Sequence, residues 1–326
     1  DWQDAETCVL RPAEGSGELR IAASDIRNGF GAFKVSVVGA DAGGEERELG
    51  SSWFARLVSR DVKPCPWVGT GTHPTQGWGW DELRFVELIA AAGIGIVRDD
   101  VGWSSFEREK GVYRMNPKFE TYVNRLHGHG VKMNMILTGK NDLYENPLDP
   151  EAFARYCAWI ADYFRDRTDR FEIWNEPHNF LRKFCHKEGQ PEILWIRQFI
   201  ELTQKADDAI RKVRPDAVVA VSAEDWDRYL DLMLTNGIAR AHNAVSFHPY
   251  CHRQHRPERE MFLCDFGARQ RGYARANGGA DRWIVTEAGW STFTGKGEYW
   301  EVAGFYPRAS LPGQAACIVR MYLASL

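Results

Sequence analysis

From Pro64 onward, short apolar runs alternate with longer amphipathic ones. Trp67–Thr70, Ile94–Arg98, Val131–Leu137, Phe171–Trp174, Ala217–Val221, Ala244–Phe247 and Trp283–Thr286 are brief and largely apolar, which predicts strands buried on both faces. Between and after them the apolar positions take helical spacing: Asp81–Ala92, Asn116–His129, Asp149 to about Arg167, Pro191–Val213, Trp226–Asn236, Glu260–Ala276 and Pro312–Leu323. The helix ends carry their usual signals. Asp81 reads as a cap, Gly93 and Gly130 as stops, and Asp149-Pro150-Glu151 as a start with Pro in the first turn and an acid beside it. Strand and helix thus alternate seven times without interruption, and this predicts a (β/α)8 TIM barrel whose last βα unit is missing. A doubly wound sheet fits less well. Its glycine-rich turn would have to be Gly69-Thr70-Gly71-Thr72-His73-Pro74, which lacks the third glycine and a helix directly behind it. The sequence stops at Leu326, where the eighth strand is due. We therefore expect 63–326 to be a C-terminally incomplete catalytic barrel, completed by a further C-terminal domain or by another chain.

Residues 1–62 have a different rhythm. Leu19–Ala22, Ala32–Val38 and Trp53–Val58 are short and partly alternating, with turn-rich stretches such as Asn28-Gly29 and Asp41-Ala42-Gly43-Gly44 between them. The expectation is a β-rich appendage. So few strands make a poor independent domain, so it should form part of a β-sandwich.

Composition narrows the function. The chain has 326 residues, 44% hydrophobic, enough for a large core. Lys and Arg number 41 against 45 acids, a net charge of −4 with no basic block, so neither nucleic acid nor an anionic membrane is indicated as a partner. No apolar run reaches the ~20 residues of a membrane helix. The 7 cysteines are dispersed and form no CxxC pair, which argues against a dense disulfide framework and leaves one or two bridges open. The sequence opens with Asp1 and shows no signal-peptide pattern, so it reads as a processed chain or a fragment.

The candidate chemistry sits at strand ends. Phe171-Glu172-Ile173-Trp174-Asn175-Glu176-Pro177 is a buried strand that Pro177 stops, leaving Asn175 and Glu176 at its carboxyl end. Glu287, in Trp283-Ile284-Val285-Thr286-Glu287-Ala288-Gly289-Trp290, ends the seventh strand. In a barrel the fourth and seventh strands face each other across the mouth. Two carboxyls flanking one bond are what glycoside hydrolysis needs.

Four segments in this order resemble clan A of the glycoside hydrolases, from about Trp67 to the end. They are Val97-Arg98-Asp99 with Trp103, Gly111 and Tyr113; Ile173–Pro177; Ser246-Phe247-His248-Pro249-Tyr250; and Val285–Trp290. The spacing of Arg98, Trp103, Glu107, Gly111 and Tyr113 looks most similar to family 39 and its bacterial relatives, with family 5 next. The resemblance implies a retaining glycosidase acting on an oligo- or polysaccharide. Glu176 would be the acid/base and Glu287 the nucleophile. Asn175 would bond the sugar 2-hydroxyl, Tyr250 would donate to Glu287, and Arg98 would sit beneath it. Glu287 and partial burial are expected to raise the pKa of Glu176. No cofactor is implied. The partner is carbohydrate, and the location is outside the cytoplasm: secreted, periplasmic or at the cell surface.

Plainer readings stand beside these. Glu176 and Glu287 could be salt-bridged rim residues, and Asn175 a turn cap. Arg98 could pair with Asp99, Asp100 or a sheet carboxylate, and Tyr250 could make a simple rim hydrogen bond. His248 suits a site contact or a satisfied strand-end histidine. Trp78, Trp80, Trp103, Trp290 and Trp300 are candidate sugar platforms or packing residues, with Trp290 favoured because it follows Glu287 by three. Trp103 and Trp290 are carried as substrate-binding candidates with Asn175, Arg98, His248 and Tyr250. Glu107 and Glu109, beside Arg108 and Lys110, read as a solvated charge cluster. His248, Cys251, His252 and His255 crowd one segment, but Pro249 interrupts it and no Glu completes HExxH, so no metal is assigned. Two other functions use the same residues: a non-catalytic carbohydrate-binding barrel and a transglycosylase.

Overall fold

A computed structural model describes residues 31–40, 43–56, 62–74, 84–179, 181–222, 227–241, 244–248, 250, 265–279, 282–290 and 309–325. The chain divides into two compact units, Asp1–Asp61 and Val62–Leu326. In the first, β1 (Gly31–Ala40) pairs antiparallel with β2 (Glu46–Arg56), and a register shift falls between Val37 and Val38. The predicted strand at Leu19–Ala22 lies outside the described residues.

The second unit is built on a parallel sheet of seven strands: β3 (Cys65–Gly71), β4 (Ile94–Gly102), β7 (Lys132–Thr138), β8 (Arg170–Ile173), β9 (Val218–Ser222), β10 (Ala244–Phe247) and β11 (Trp283–Val285). Each strand lies beside its predecessor, in the order β11-β10-β9-β8-β7-β4-β3, which is the order of an unrolled (β/α)8 barrel. All the strands therefore present their carboxyl ends on one side, and that shared end positions the site.

Helices α1 (Arg84–Ala91), α3 (Pro117–Gly128), α4 (Pro150–Tyr163), α6 (Ile193–Val213), α7 (Asp227–Thr235), α9 (Asp265–Ala276) and α10 (Leu311–Ser325) follow the strands in turn. Short helices α2 (Trp103–Phe106), α5 (Leu181–Cys185) and α8 (Ile238–Ala241) lie in the connections. Capping explains where two of the long helices begin. Asn116 accepts from the Lys118 N–H ahead of Pro117, and Asp149 accepts from the Ala152 N–H ahead of Pro150. Gly130, at φ +74°, turns the chain out of α3 in the left-handed region that favours glycine. The predicted Asp81 cap lies outside the described residues. Gly95 is needed for contact: a Cβ there would stand 2.2 Å from the Cys65 carbonyl oxygen, where β3 and β4 touch.

The core lies between sheet and helices and is heavily aromatic, with Trp103, Phe119, Tyr122, Phe153, Tyr156, Phe164, Phe171, Trp174 and Trp195 at 1% exposure or less. A second cluster joins Trp290, Ala309, Cys317 and Met321. On the same last helix, the Tyr322 hydroxyl donates to the Gly69 carbonyl of β3. No described helix is long and apolar enough to cross a membrane.

One connection differs from expectation. Glu107 and Glu109 lie on a small hairpin of β5 (Glu107–Glu109) and β6 (Val112–Tyr113), and Glu107 is not solvated. It is 1% exposed and accepts from Trp103 Nε1 at 2.5 Å, the Gly111 N–H at 2.6 Å and the Tyr144 hydroxyl at 2.5 Å. Three donors in one place compensate its burial.

Candidate active site

Strand β8 ends abruptly. Trp174 and Glu176 both have positive φ, +68° and +41°, which is uncommon for side-chain-bearing residues and costs conformational energy. This backbone breaks the in–out alternation of the strand, and Pro177 prevents its resumption. Trp174 stays anchored through its N–H to the Leu137 carbonyl, and the Glu176 N–H donates to Ser222 Oγ at the end of β9. Asn175 and Glu176 are thereby held at the mouth.

Arg98, 6% exposed on β4, links the parts. Its Nε and Nη2 fork Glu172 of β8 at 2.7 and 3.0 Å. Its Nη1 donates to Glu287 Oε1 at 2.6 Å, and Nη2 also reaches Asn175 Oδ1 at 2.7 Å. Arg98 therefore bonds a sheet carboxylate and Glu287 at once. Glu172 is fully buried and accepts further bonds from Asn134 Nδ2 at 3.0 Å and Ser246 Oγ at 2.5 Å. Burial pushes its carboxyl up, but the charge and hydrogen bonds of Arg98 outweigh this and hold it below the usual carboxylate range. Burial also opposes the Arg98 charge, and the carboxylates Glu172 and Glu287 more than restore it.

Glu287 lies just past β11. Its Oε2 accepts from the Tyr250 hydroxyl at 2.8 Å. His248, 1% exposed at the end of β10, has Nδ1 3.0 Å from Glu176 Oε1 and 3.8 Å from Glu287 Oε2. One oxygen from each carboxyl and a ring nitrogen of His248 lie within 4.8 Å of one another. The Asn179 amide donates to Glu176 Oε2 at 2.7 Å. The His248 hydrogen bond, opposed by burial and reinforced by the His248 charge and by Asn179, lowers the Glu176 carboxyl to about 2. This corrects the expectation of a raised value: both neighbours donate, and donors favour the ionised form.

A family model for cellulase (glycosyl hydrolase family 5) matches residues 58–304, a span that holds every one of these contacts. The chain belongs to glycosyl hydrolase family 5. This places it in clan A, as the motif resemblance indicates. Comparison with curated proteins returns no match. Three similar solved structures share the fold. A family 39 glycoside hydrolase from the gut symbiont Bacteroides cellulosilyticus WH2 has TM-score 0.62 at 18% identity, covering 91% of this chain and 61% of that one. A glucosidase from Croceicoccus marinus has TM-score 0.53 at 15% identity, covering 81% and 59%. An exo-β-1,4-mannosidase from Opitutaceae bacterium strain TAV5 has TM-score 0.50 at 18% identity, covering 88% and 51%. The chain spans about half to three-fifths of the length of these relatives.

In this family 5 chain Glu176, Glu287, Asn175, Arg98, His248 and Tyr250 come together, and two tryptophans do not join them. Trp103 is fully buried on α2, with Tyr144, Phe153 and Tyr156 around its ring at 5.3, 5.7 and 6.3 Å. It has no face to offer a sugar. Trp290 is 4% exposed and packs in the second cluster, so it too is a packing residue. Trp78, Trp80, Trp300, Cys251, His252 and His255 lie outside the described residues. A cleft of about 580 Å³ between the loop after β7 and helices α5 and α6, flanked by Lys140, Leu181, Phe184 and Gln198, is separate: neither Glu176 nor Glu287 lines it.

Sequence reasoning missed Glu172, Asn134, Ser246 and Asn179. A signal for Glu172 was present. A carboxylate between Phe171 and Ile173 in a strand buried on both faces requires a buried cation, and Arg98 is the matching oddity in β4.

Proposed function

We propose that this chain is a retaining glycoside hydrolase that cleaves O-glycosidic bonds of an oligo- or polysaccharide by double displacement. The observation that carries the reading is the carboxyl pair, Glu176 and Glu287, with oxygens within 4.8 Å of each other at the ends of facing strands. Retaining enzymes hold their carboxyls about 5–5.5 Å apart, whereas inverting ones need about 6.5–9.5 Å to admit a water.

Glu287 is the nucleophile. One of its oxygens bonds to the anomeric carbon as the glycosidic C–O bond breaks, and Glu176 gives its proton to the departing oxygen. In the second half, water attacks the same carbon and gives a proton to Glu176, and the electron pair of the ester bond returns to Glu287. Arg98 and Tyr250 orient the nucleophile and accept its charge on departure. With its oxygen bound to Arg98, Asn175 offers its amide nitrogen to the sugar 2-hydroxyl. The bonds from His248 and Asn179 favour ionised Glu176. Acid catalysis therefore requires the bound sugar to take over one of them and to exclude water, which brings the carboxyl up to hold its proton. Action outside the cytoplasm goes with a polysaccharide substrate.

The test is a series of aryl β-glycosides of falling leaving-group ability, screened over several sugars. Glu176→Ala should lose most activity on poor leaving groups and little on activated ones, with azide restoring turnover. Equal loss across the series, without azide rescue, would remove the acid role.

A further inference from the structure

Glu172 reaches neither mouth nor solvent, yet it takes two of the four hydrogen bonds that Arg98 makes to the described side chains. It is also the most fully satisfied carboxylate of the site, with Arg98, Asn134 and Ser246 all donating to it. A guanidinium alone beneath Glu287 would bind the nucleophile's electron pair tightly. It would stabilise the free carboxylate, slow its attack and hasten its departure from the sugar.

We infer that Glu172 is a positioning residue that neutralises Arg98 from behind, so that Arg98 orients Glu287 without withdrawing its nucleophilicity. The inference rests on Glu287 being the nucleophile. One cation shared between two carboxylates leaves the trio with a single net negative charge, carried at the mouth. The bidentate fork fixes the guanidinium plane, and with it the direction of Nη1 toward Glu287 and of Nη2 toward Asn175. Asn134 on β7 and Ser246 on β10 hold Glu172 from the two sides. Ser246 in turn lies 2.7 Å from Thr286 Oγ1, next to Glu287 in the chain, so the bracket closes on the strand that carries the nucleophile.

The two chemical steps respond oppositely to the charge, and this gives the test. Glu172→Gln keeps the size and an acceptor for Arg98 but removes the negative charge. With phenyl β-glycosides, for which attack limits turnover, kcat/KM should fall on the order of tenfold or more. With 2,4-dinitrophenyl β-glycosides, for which release of the sugar from Glu287 limits turnover, kcat should rise, and the pre-steady-state burst of dinitrophenol should shrink. A role in shape alone would slow both steps together, and a parallel fall in both would overturn the inference. Glu172→Asp retains the charge and should keep the wild-type ratio between the two substrates. If the Gln variant does not fold, a shifted ratio in the Asp variant would overturn it instead. Glu287→Gln separates the two levels. If that variant is inactive while the ratio in Glu172→Gln is unshifted, only the role of Glu172 fails. If it hydrolyses both substrates at wild-type rate, Glu287 is not the nucleophile and the premise of the inference fails.

Discussion

His248 holds Glu176 in the state opposite to the one that starts an acid-catalysed reaction, and the consequence is measurable. With its Nδ1 at 3.0 Å, it is the main reason that Glu176 stands at about 2 instead of 4.5. In His248→Phe the donor is gone, so the Glu176 carboxyl should titrate higher, nearer the ordinary value, as followed by NMR of carboxyl-labelled glutamate. An unmoved titration would assign the lowering to Asn179 and the charge of His178 instead. The linkage has a definite sign. A carboxyl depressed by folding stabilises the native state above its unfolded pKa and loses that contribution as pH falls from about 4.5 through about 2. Acid unfolding over that window should therefore be shallower in His248→Phe than in wild type. At this scale the sequence showed which residues meet but not their protonation. Asn-Glu-Pro and Thr-Glu-Ala mark strand ends, whereas the donors on Glu176 come from β10 and from Asn179, and spacing does not order them in space. Glu172 was hidden for a related reason: a buried carboxylate within a strand reads as part of that strand until its cation is found.

At the scale of elements, the turn after β4 shows how a motif can be legible and its purpose misread. Buried Trp103, Glu107 and Tyr144 form one knot, joined by the N–H of exposed Gly111, in which the carboxylate ties α2, the β5–β6 hairpin and the loop after β7 together. Spacing marked Trp103 as a site candidate, while the charged neighbours Arg108, Glu109 and Lys110 made Glu107 look solvated. Only the fold shows that Glu107 points inward. Glu107→Ala should cost about 2–4 kcal/mol in urea unfolding, since it strands several buried donors. Trp103→Phe should lower stability with KM unchanged; a raised KM at unchanged stability would return Trp103 to the substrate. The helix starts were plainer. Asp149-Pro150 predicted the α4 cap that is found, and Asp149→Ala should cost about 1 kcal/mol. The boundaries of β8 were less legible, because left-handed backbone at Trp174 and Glu176 is a tertiary outcome that no local propensity favours.

For the whole molecule, the seven-fold alternation was enough to give the barrel order of the strands, since right-handed βα connections leave a parallel series few other arrangements. That order sets β8 and β11 three strands apart with their ends on the same side, so two carboxylates 111 positions apart in the chain (287 − 176) become neighbours. Sugar specificity was not legible, because it depends on segments such as 251–260 and 291–309, which the sequence predicts as loops and whose composition does not encode a surface. The double-displacement reading requires Glu287 to form a covalent bond to the sugar. That bond is trapped by incubation with 2-deoxy-2-fluoro β-glycosyl fluorides, which slow both steps, and is located by peptide mass spectrometry. The expected result is one glycosyl adduct, on Glu287, that is absent in Glu287→Gln. An adduct on another residue, or steady hydrolysis of the parent glycoside by Glu287→Gln, would contradict it.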